Sequence, residues 1–327
     1  MKKLICVILS LIMILSMTAC GASEPAQTPT GYSYSVAIVQ QLDHSSLDEI
    51  RTAIEAQLNA LAADQNIAIK ISYDNGQNDA SMLNQIGTQL VSDKVDMIIP
   101  IATTAAQCMV TAAEGKNIPI IYAAISDPVE AGLTGFANVT GVSDALNTPF
   151  ILDMMLAINP DIQTVGLLYS NAEPNSATPI KEAKAYLDSK NIAYIEKTGN
   201  TADEVITAAS ALVGRCDAVF TPTDNAIMNV AATVAETLNQ AGIPHYAGAD
   251  SFVQAGSFAT CGVNYTELGI YAAHMAMDIL LGGEIPEFHV MEGGIITVNI
   301  DAANALGLDF GRFGSMADTV LTISTDE

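Results

Sequence analysis

Several short apolar runs in this chain stop at small clusters of residues that could hold a charged small molecule. Thr103 and Thr104 follow one such run, Ser126-Asp127-Pro128 another, Thr223-Asp224-Asn225 a third, and Asp250 closes a fourth. The hydroxyls of Thr103, Thr104, Ser176 and Thr223 can donate to an anion. The carboxylates of Asp127, Asp224 and Asp250 can accept from an ammonium group. Several of the clusters stand just before a helix-like stretch, where free backbone N–H groups and the helix dipole favour a carboxylate. An anion-binding helix start beside an unpaired carboxylate is suited to an amino-acid zwitterion. Each feature also has a plain structural use. Asp224 and Asn225 are both favoured helix caps, as is Thr103 or Thr104. Asp127-Pro128 fits a simple turn, and Asp250 fits a structural role.

The residue types argue against catalysis. There is no GxSxG, HExxH, Walker or GxGxxG pattern. His44, His245, His274 and His289 are scattered. His44, beside Asp43 and Ser45, is the one with hydrolase-like neighbours, but a single His without a supporting motif is weak evidence. The chain is therefore read as a binding protein, not an enzyme, with no cofactor or metal. Cys108, Cys216 and Cys261 form no CxxC pair, so neither a disulfide framework nor a zinc site is expected. Cys108 and Cys216 suit small apolar core positions.

The elements that must carry these clusters are written twice. Asp96 precedes an apolar run that ends at Thr103-Thr104; after a helix-like stretch, Ile118-Pro119 leads a second run that ends at Asp127. Later, Asp217 precedes a run that ends at Thr223-Asp224-Asn225, and Ile243-Pro244 leads a second run that ends at Asp250. Each copy reads as strand, polar loop, helix, strand, polar loop. The period is too long for a solenoid and suits two similar α/β lobes that face each other across a cleft. Upstream of each copy, strands alternate with helical spacing such as Leu47, Ile50, Ile54, Leu58 and Leu61. The fold class predicted is α/β: two Rossmann-like lobes with mostly parallel sheets, joined by three crossovers. Candidate crossovers are 138–148, 263–267 and 292–294. The lobes then comprise 35–143 with about 265–292, and 144–264 with about 293–327. Ligands of open α/β sheets sit outside the carboxyl ends of the strands. That rule selects the loops 40–46, 103–104, 126–128, 170–176, 223–225 and 249–252, with Gln40 opening the first.

Composition narrows the partners. The formal net charge is −24 over 327 residues, with no basic patch for phosphates, so nucleic-acid binding is excluded. Half of the residues are hydrophobic, enough for two substantial cores. Lys2-Lys3 precedes an apolar stretch over 4–17, shorter than the roughly 20 residues of a membrane span and suited to a signal peptide, 1–19. Met17-Thr18-Ala19-Cys20 resembles a bacterial lipobox, which implies cleavage before Cys20 and lipidation of its thiol. Residues 20–34 read as a flexible tether. So acidic a body is repelled by anionic lipid, and membrane attachment is expected to come through the lipid anchor.

The segments VAIVQQLDHSSLD (36–48), IATTAAQ (101–107), SDPVEAGL (126–133), NVTGVSD (138–144), YSNAEPNS (169–176) and PTDN (222–225) together resemble the tryptophan/tyrosine-type ABC transporter substrate-binding lipoproteins. The match runs from about 36 to 298. It implies a type I periplasmic-binding-protein fold and delivery of a small molecule to a membrane permease with a cytoplasmic ATPase. An amino acid, possibly aromatic, would lie between Thr103, Thr104 and Asp127 of one lobe and Asn175, Ser176, Asp224 and Asn225 of the other. The chain is expected to act as a monomer that closes on its ligand. It has no Trp, so any stacking would come from Tyr or Phe, such as Phe252.

Overall fold

The computed structural model describes residues 33–325. The expected signal peptide, the Cys20 lipidation site and nearly all of the expected tether lie outside the described residues. Thirteen strands are present among those described: β1 (Ser33–Gln40), β2 (Ala68–Asn75), β3 (Met97–Ile101), β4 (Ile120–Ala123), β5 (Val139–Ser143), β6 (Thr164–Tyr169), β7 (Ala193–Thr198), β8 (Ala218–Thr221), β9 (His245–Ala247), β10 (Ala259–Gly262), β11 (His289–Val290), β12 (Ile295–Asn299) and β13 (Thr319–Ile323). They form two sheets, ordered β11-β5-β4-β3-β1-β2 and β13-β12-β10-β9-β8-β6-β7. Every pairing is parallel except β10 with β12.

The two sheets repeat one order. In each, the first strand of the lobe lies between its second and third, so the order reverses at β1/β3 and at β6/β8. Such a reversal opens a crevice at the carboxyl ends of the strands, where doubly wound sheets bind ligands. The central strands are apolar along their whole length because helices cover both sheet faces; β3 and β4 are buried throughout.

The chain passes between the sheets three times: from β5 into the helix Thr148–Ile158, from β10 into the helix Tyr265–Leu280, and from β11 into β12. The first passage is shorter than the sequence suggests. Val139–Ser143 pairs with β4 as an interior strand, so only residues 144–147 cross. Asparagines start both helices that follow a passage. Asn147 accepts from the Phe150 N–H at 3.2 Å and Asn264 from the Glu267 N–H at 2.9 Å, each satisfying a donor that would otherwise be unpaired. The second of these helices begins at Tyr265, inside the crossover expected at 263–267, because the Asn264 cap sets the start. It packs on the helix Ser45–Asp64, where a Cβ on Gly269 would stand 2.7 Å from the Ile50 carbonyl. Facing it, Leu47, Ile50, Ile54 and Leu58 are buried, a stripe worth roughly 1.5–3 kcal/mol per side chain. Strands β11 and β13 are sheet edges of two and five residues that periodicity does not reveal.

Gly141 of the Asn-Val-Thr-Gly motif pairs with Tyr122, and a Cβ there would lie 2.1 Å from the Tyr122 carbonyl oxygen. Gly141→Ala must push two interior strands apart. Thermal unfolding of that variant is expected to show a loss of about 1–3 kcal/mol; an unchanged midpoint would mean that the strands give way freely.

Candidate functional site

The loops at the carboxyl ends of β1, β3 and β4 face those after β6, β8 and β9 and enclose a small cavity. From the first lobe it is lined by His44, Ser46 and Leu47, by Ala102 and Thr103, and by Ala124 and Ser126. The second lobe contributes Asn175, then Thr223, Asp224, Asn225 and Met228, then Ala249, Ser251 and Phe252. Asp144 and Tyr265, from the first two passages, complete it. All six loops selected by the strand-end rule contribute.

Two of the strand ends are strained. Ala102 has φ 76° and Ala124 has φ 57°, a region that non-glycine residues avoid. At Ala102 the turn directs the start of the helix Thr103–Ala112 toward the cleft.

The cavity holds about 30 Å³, room for one or two water molecules. The lobes meet directly around it. Ser46 Oγ donates to Asp250 Oδ1 at 2.9 Å, Gln41 Nε2 to Glu173 Oε1 at 3.2 Å, and Thr178 Oγ1 to Asp127 Oδ2 at 2.7 Å. Ser126 Oγ and Thr223 Oγ1 lie 3.0 Å apart, and His44 Nε2 lies 3.3 Å from Asn225 Oδ1. This is a closed arrangement, and a molecule as large as an amino acid enters only when the lobes separate.

Of the residues expected at the site, Thr103, Asn175, Asp224 and Asn225 line the cavity. Gln40, Thr104, Asp127, Ser176 and Asp250 do not. Gln40 is buried behind the first loop, donating to the Leu42 carbonyl at 2.7 Å and to Asp48 Oδ1 at 2.9 Å. The Thr104 N–H donates to Gln41 Oε1 at 3.1 Å. Asp127 Oδ1 accepts from the Val129 and Glu130 N–H groups at 3.1 and 3.0 Å, which is the turn role. Ser176 Oγ donates to Asp224 Oδ2 at 2.7 Å. Asp224 lines the cavity and also caps the helix Asn225–Met228. It accepts from the Ser170 N–H and Ser176 Oγ at 2.7 Å each and from the Ile227 N–H at 3.0 Å. The Ala226 N–H also favours its charged form.

Sequence reasoning passed over Glu173, Asp144, Tyr265, Gln41 and Ser251. Glu173 sits in a selected loop, yet nothing in its spacing distinguishes it from its neighbours. It is buried, accepts from Gln41, and accepts from Asn225 Nδ2 at 3.0 Å. Burial, then the nearby Asp224 carboxylate, pushes the Glu173 carboxyl up to about 7. Burial also pushes Asp144 up to about 6 and raises Asp224. No Lys or Arg lines the cavity.

Four of the nine buried side-chain polar atoms that lack a hydrogen-bond partner among the described residues belong to cavity-lining residues: His44 Nδ1, Thr103 Oγ1, Asn175 Oδ1 and Ser251 Oγ. Buried polar atoms without partners are rare and costly, and these four belong to residues around one cavity. The neighbours that suggest a hydrolase are not joined to His44: His44 Nε2 lies against Asn225 Oδ1, and Asp43 Oδ1 accepts from the Tyr73 hydroxyl at 2.7 Å.

A family model described as ABC transporter substrate binding protein matches residues 35–311. A tyrosine-binding protein of Clostridioides difficile (strain R20291) is 33% identical over 342 residues, covering 100% of this chain and 97% of the relative. The chain belongs to the ABC transporter substrate-binding protein family. Like other members, this substrate-binding protein works outside the cytoplasm, taking a small molecule to a membrane transporter. Among solved structures, the ABC domain from Streptococcus pneumoniae in complex with L-Trp superposes with a TM-score of 0.82 at 29% identity, over 88% of this chain and 100% of that one. The ligand-free, open form of a substrate-binding protein with adhesive properties from Clostridium difficile gives a TM-score of 0.68 at 30% identity, over 90% and 100%. The better superposition on the complexed structure accords with the cross-cleft contacts.

Glu173 gives the substrate-binding protein a signed pH response. Its buried carboxyl keeps its proton at pH values where an exposed one has lost it. The resulting stabilisation is complete below about 4.5 and is lost as pH rises through about 7. Wild type is therefore expected to lose thermal stability between pH 5.5 and 8 by more than Glu173→Gln does, the difference being on the order of 2–3 kcal/mol. Parallel pH profiles for the two proteins would remove Glu173 from the account.

Proposed function

We propose that this substrate-binding protein captures a free aromatic amino acid by closing its two lobes, without turnover, and presents it to its permease. The observation that carries this is the set of unpartnered buried atoms in a cavity lined by two carboxylates and no cation. Such a lining calls for a ligand that brings its own positive charge. The named ligands of the relatives, tyrosine and L-Trp, supply the rest of the chemistry.

In this reading Asn175 Oδ1 and the carboxylates of Asp144 and Asp224 accept from the ammonium group. Thr103 Oγ1, at the N-terminus of its helix, donates to the carboxylate, where the helix dipole assists. Leu47, Met228 and Phe252 supply the apolar wall for the side chain. Gln40, Thr104, Asp127, Ser176 and Asp250 position the loops from behind. The lobes, 35–143 with about 265–292 and 144–264 with about 293–327, move as bodies about the three passages, and ligand that bridges them favours closure. The mature protein begins at lipidated Cys20, hangs from the cell membrane by its 20–34 tether, and acts as a monomer.

Calorimetry of the signal-free protein should show one-to-one binding of tyrosine or tryptophan, and silence from every aromatic amino acid would refute the reading. Asn175→Ala removes an acceptor for a charged group and should weaken that binding by about 1.5–3 kcal/mol, with unchanged affinity excluding Asn175 from contact. In cells, Cys20→Ala should move the protein from the membrane fraction into the soluble one; retention in the membrane would show that something other than this lipid holds it.

A further inference from the structure

One buried acceptor of a cavity-lining residue has no use in binding the amino-acid backbone as proposed. The three protons of an ammonium group are met by Asn175 Oδ1 and the cleft carboxylates. The hydroxyls of Thr103 and Ser251 are free to donate to the ligand's carboxylate. That leaves His44 Nδ1, buried and without a partner.

The network around His44 fixes which nitrogen carries the proton. Where Glu173 is ionised, Asn225 Nδ2 donates to its Oε2 at 3.0 Å, which sets the amide so that Oδ1 faces the imidazole. His44 Nε2, 3.3 Å from that oxygen, must therefore be the N–H. A neutral imidazole has one N–H, so Nδ1 is a bare lone pair. The ring stays neutral because burial lowers its pKa to about 4, against the opposing pull of the Asn225 hydrogen bond and of the Asp48 and Asp43 carboxylates. Gln40 Nε2 occupies both of those carboxylates, at 2.9 Å from Asp48 Oδ1 and 3.3 Å from Asp43 Oδ1, and the Tyr73 hydroxyl donates to Asp43 at 2.7 Å.

We infer that His44 is a specificity residue: its Nδ1 lone pair accepts from the side chain of the captured amino acid, the phenol O–H of tyrosine or the indole N–H of tryptophan, and thereby discriminates against phenylalanine. The inference rests on the aromatic-amino-acid reading of the site. Phenylalanine fits the same apolar wall but leaves the buried lone pair unpaired, and sites built to hydrogen-bond a side-chain group reject analogues that lack it.

The test is calorimetric titration of the signal-free protein with tyrosine, tryptophan and phenylalanine at about pH 8, above the value of about 7 to which burial raises Glu173, for wild type and for His44→Leu. Wild type should bind tyrosine or tryptophan at least about tenfold more tightly than phenylalanine. In His44→Leu that ratio should collapse toward one through loss of tyrosine or tryptophan affinity. Equal binding of all three by wild type, which needs no variant to fold, would overturn the role of His44 and leave the aromatic-amino-acid reading standing. A preserved ratio in a His44→Leu protein that still binds would overturn it as well. No binding of any of the three would instead overturn the functional reading beneath it.

Discussion

The cleft depends on buried negative charge for which the protein supplies no counter-ion. Asp144 and Asp224 line the cavity, Glu173 stands just behind it, and no Lys or Arg faces it. Carboxylates shut away from water without a cation either hold their protons or wait for a partner that carries positive charge. In the closed arrangement burial raises all three carboxyls, the direction that favours keeping a proton. A bound ammonium group, as proposed, would realise the second. A ligand that lowers the cost of burying these carboxylates would then favour closure.

The fold makes that possible by bringing two strand-order reversals face to face. Each lobe alone would present a shallow crevice of loops in water. Opposed, they exclude water from side chains on both sides, and hydrogen bonds such as Gln41 to Glu173 and Ser46 to Asp250 span the seam. Asp144 and Tyr265 belong to the passages between lobes and also line the cavity, so the hinge and the binding surface share residues. In the proposed closure, movement at these passages would be felt directly by a molecule in the cavity.

Much of this is legible in the sequence, and the limit has a physical form. The internal repeat reveals two α/β lobes, and the strand-end rule then selects the six loops. Which residue of a loop faces inward depends on backbone angles that composition does not show. Thr103 turns into the cavity and Thr104 away from it because Ala102 adopts a positive φ. Asp127 reads as a free carboxylate, but its neighbours' N–H groups and Thr178 occupy it. Asp144 escapes notice because it lies in a passage and not after a strand of the repeat. Glu173 and Asn225 acquire their roles only through long-range pairing, with Gln41 and His44 of the opposite lobe.

The most direct test of the central claim is a crystal structure of the signal-free protein grown with L-tyrosine or L-tryptophan. The account predicts the ligand in the interlobe cavity, its ammonium nitrogen within about 3.2 Å of Asn175 Oδ1 and of a cleft carboxylate, and its own carboxylate toward Thr103. A ligand whose ammonium group faces solvent or the wall of Leu47, Met228 and Phe252, or one bound outside the cleft, would contradict it.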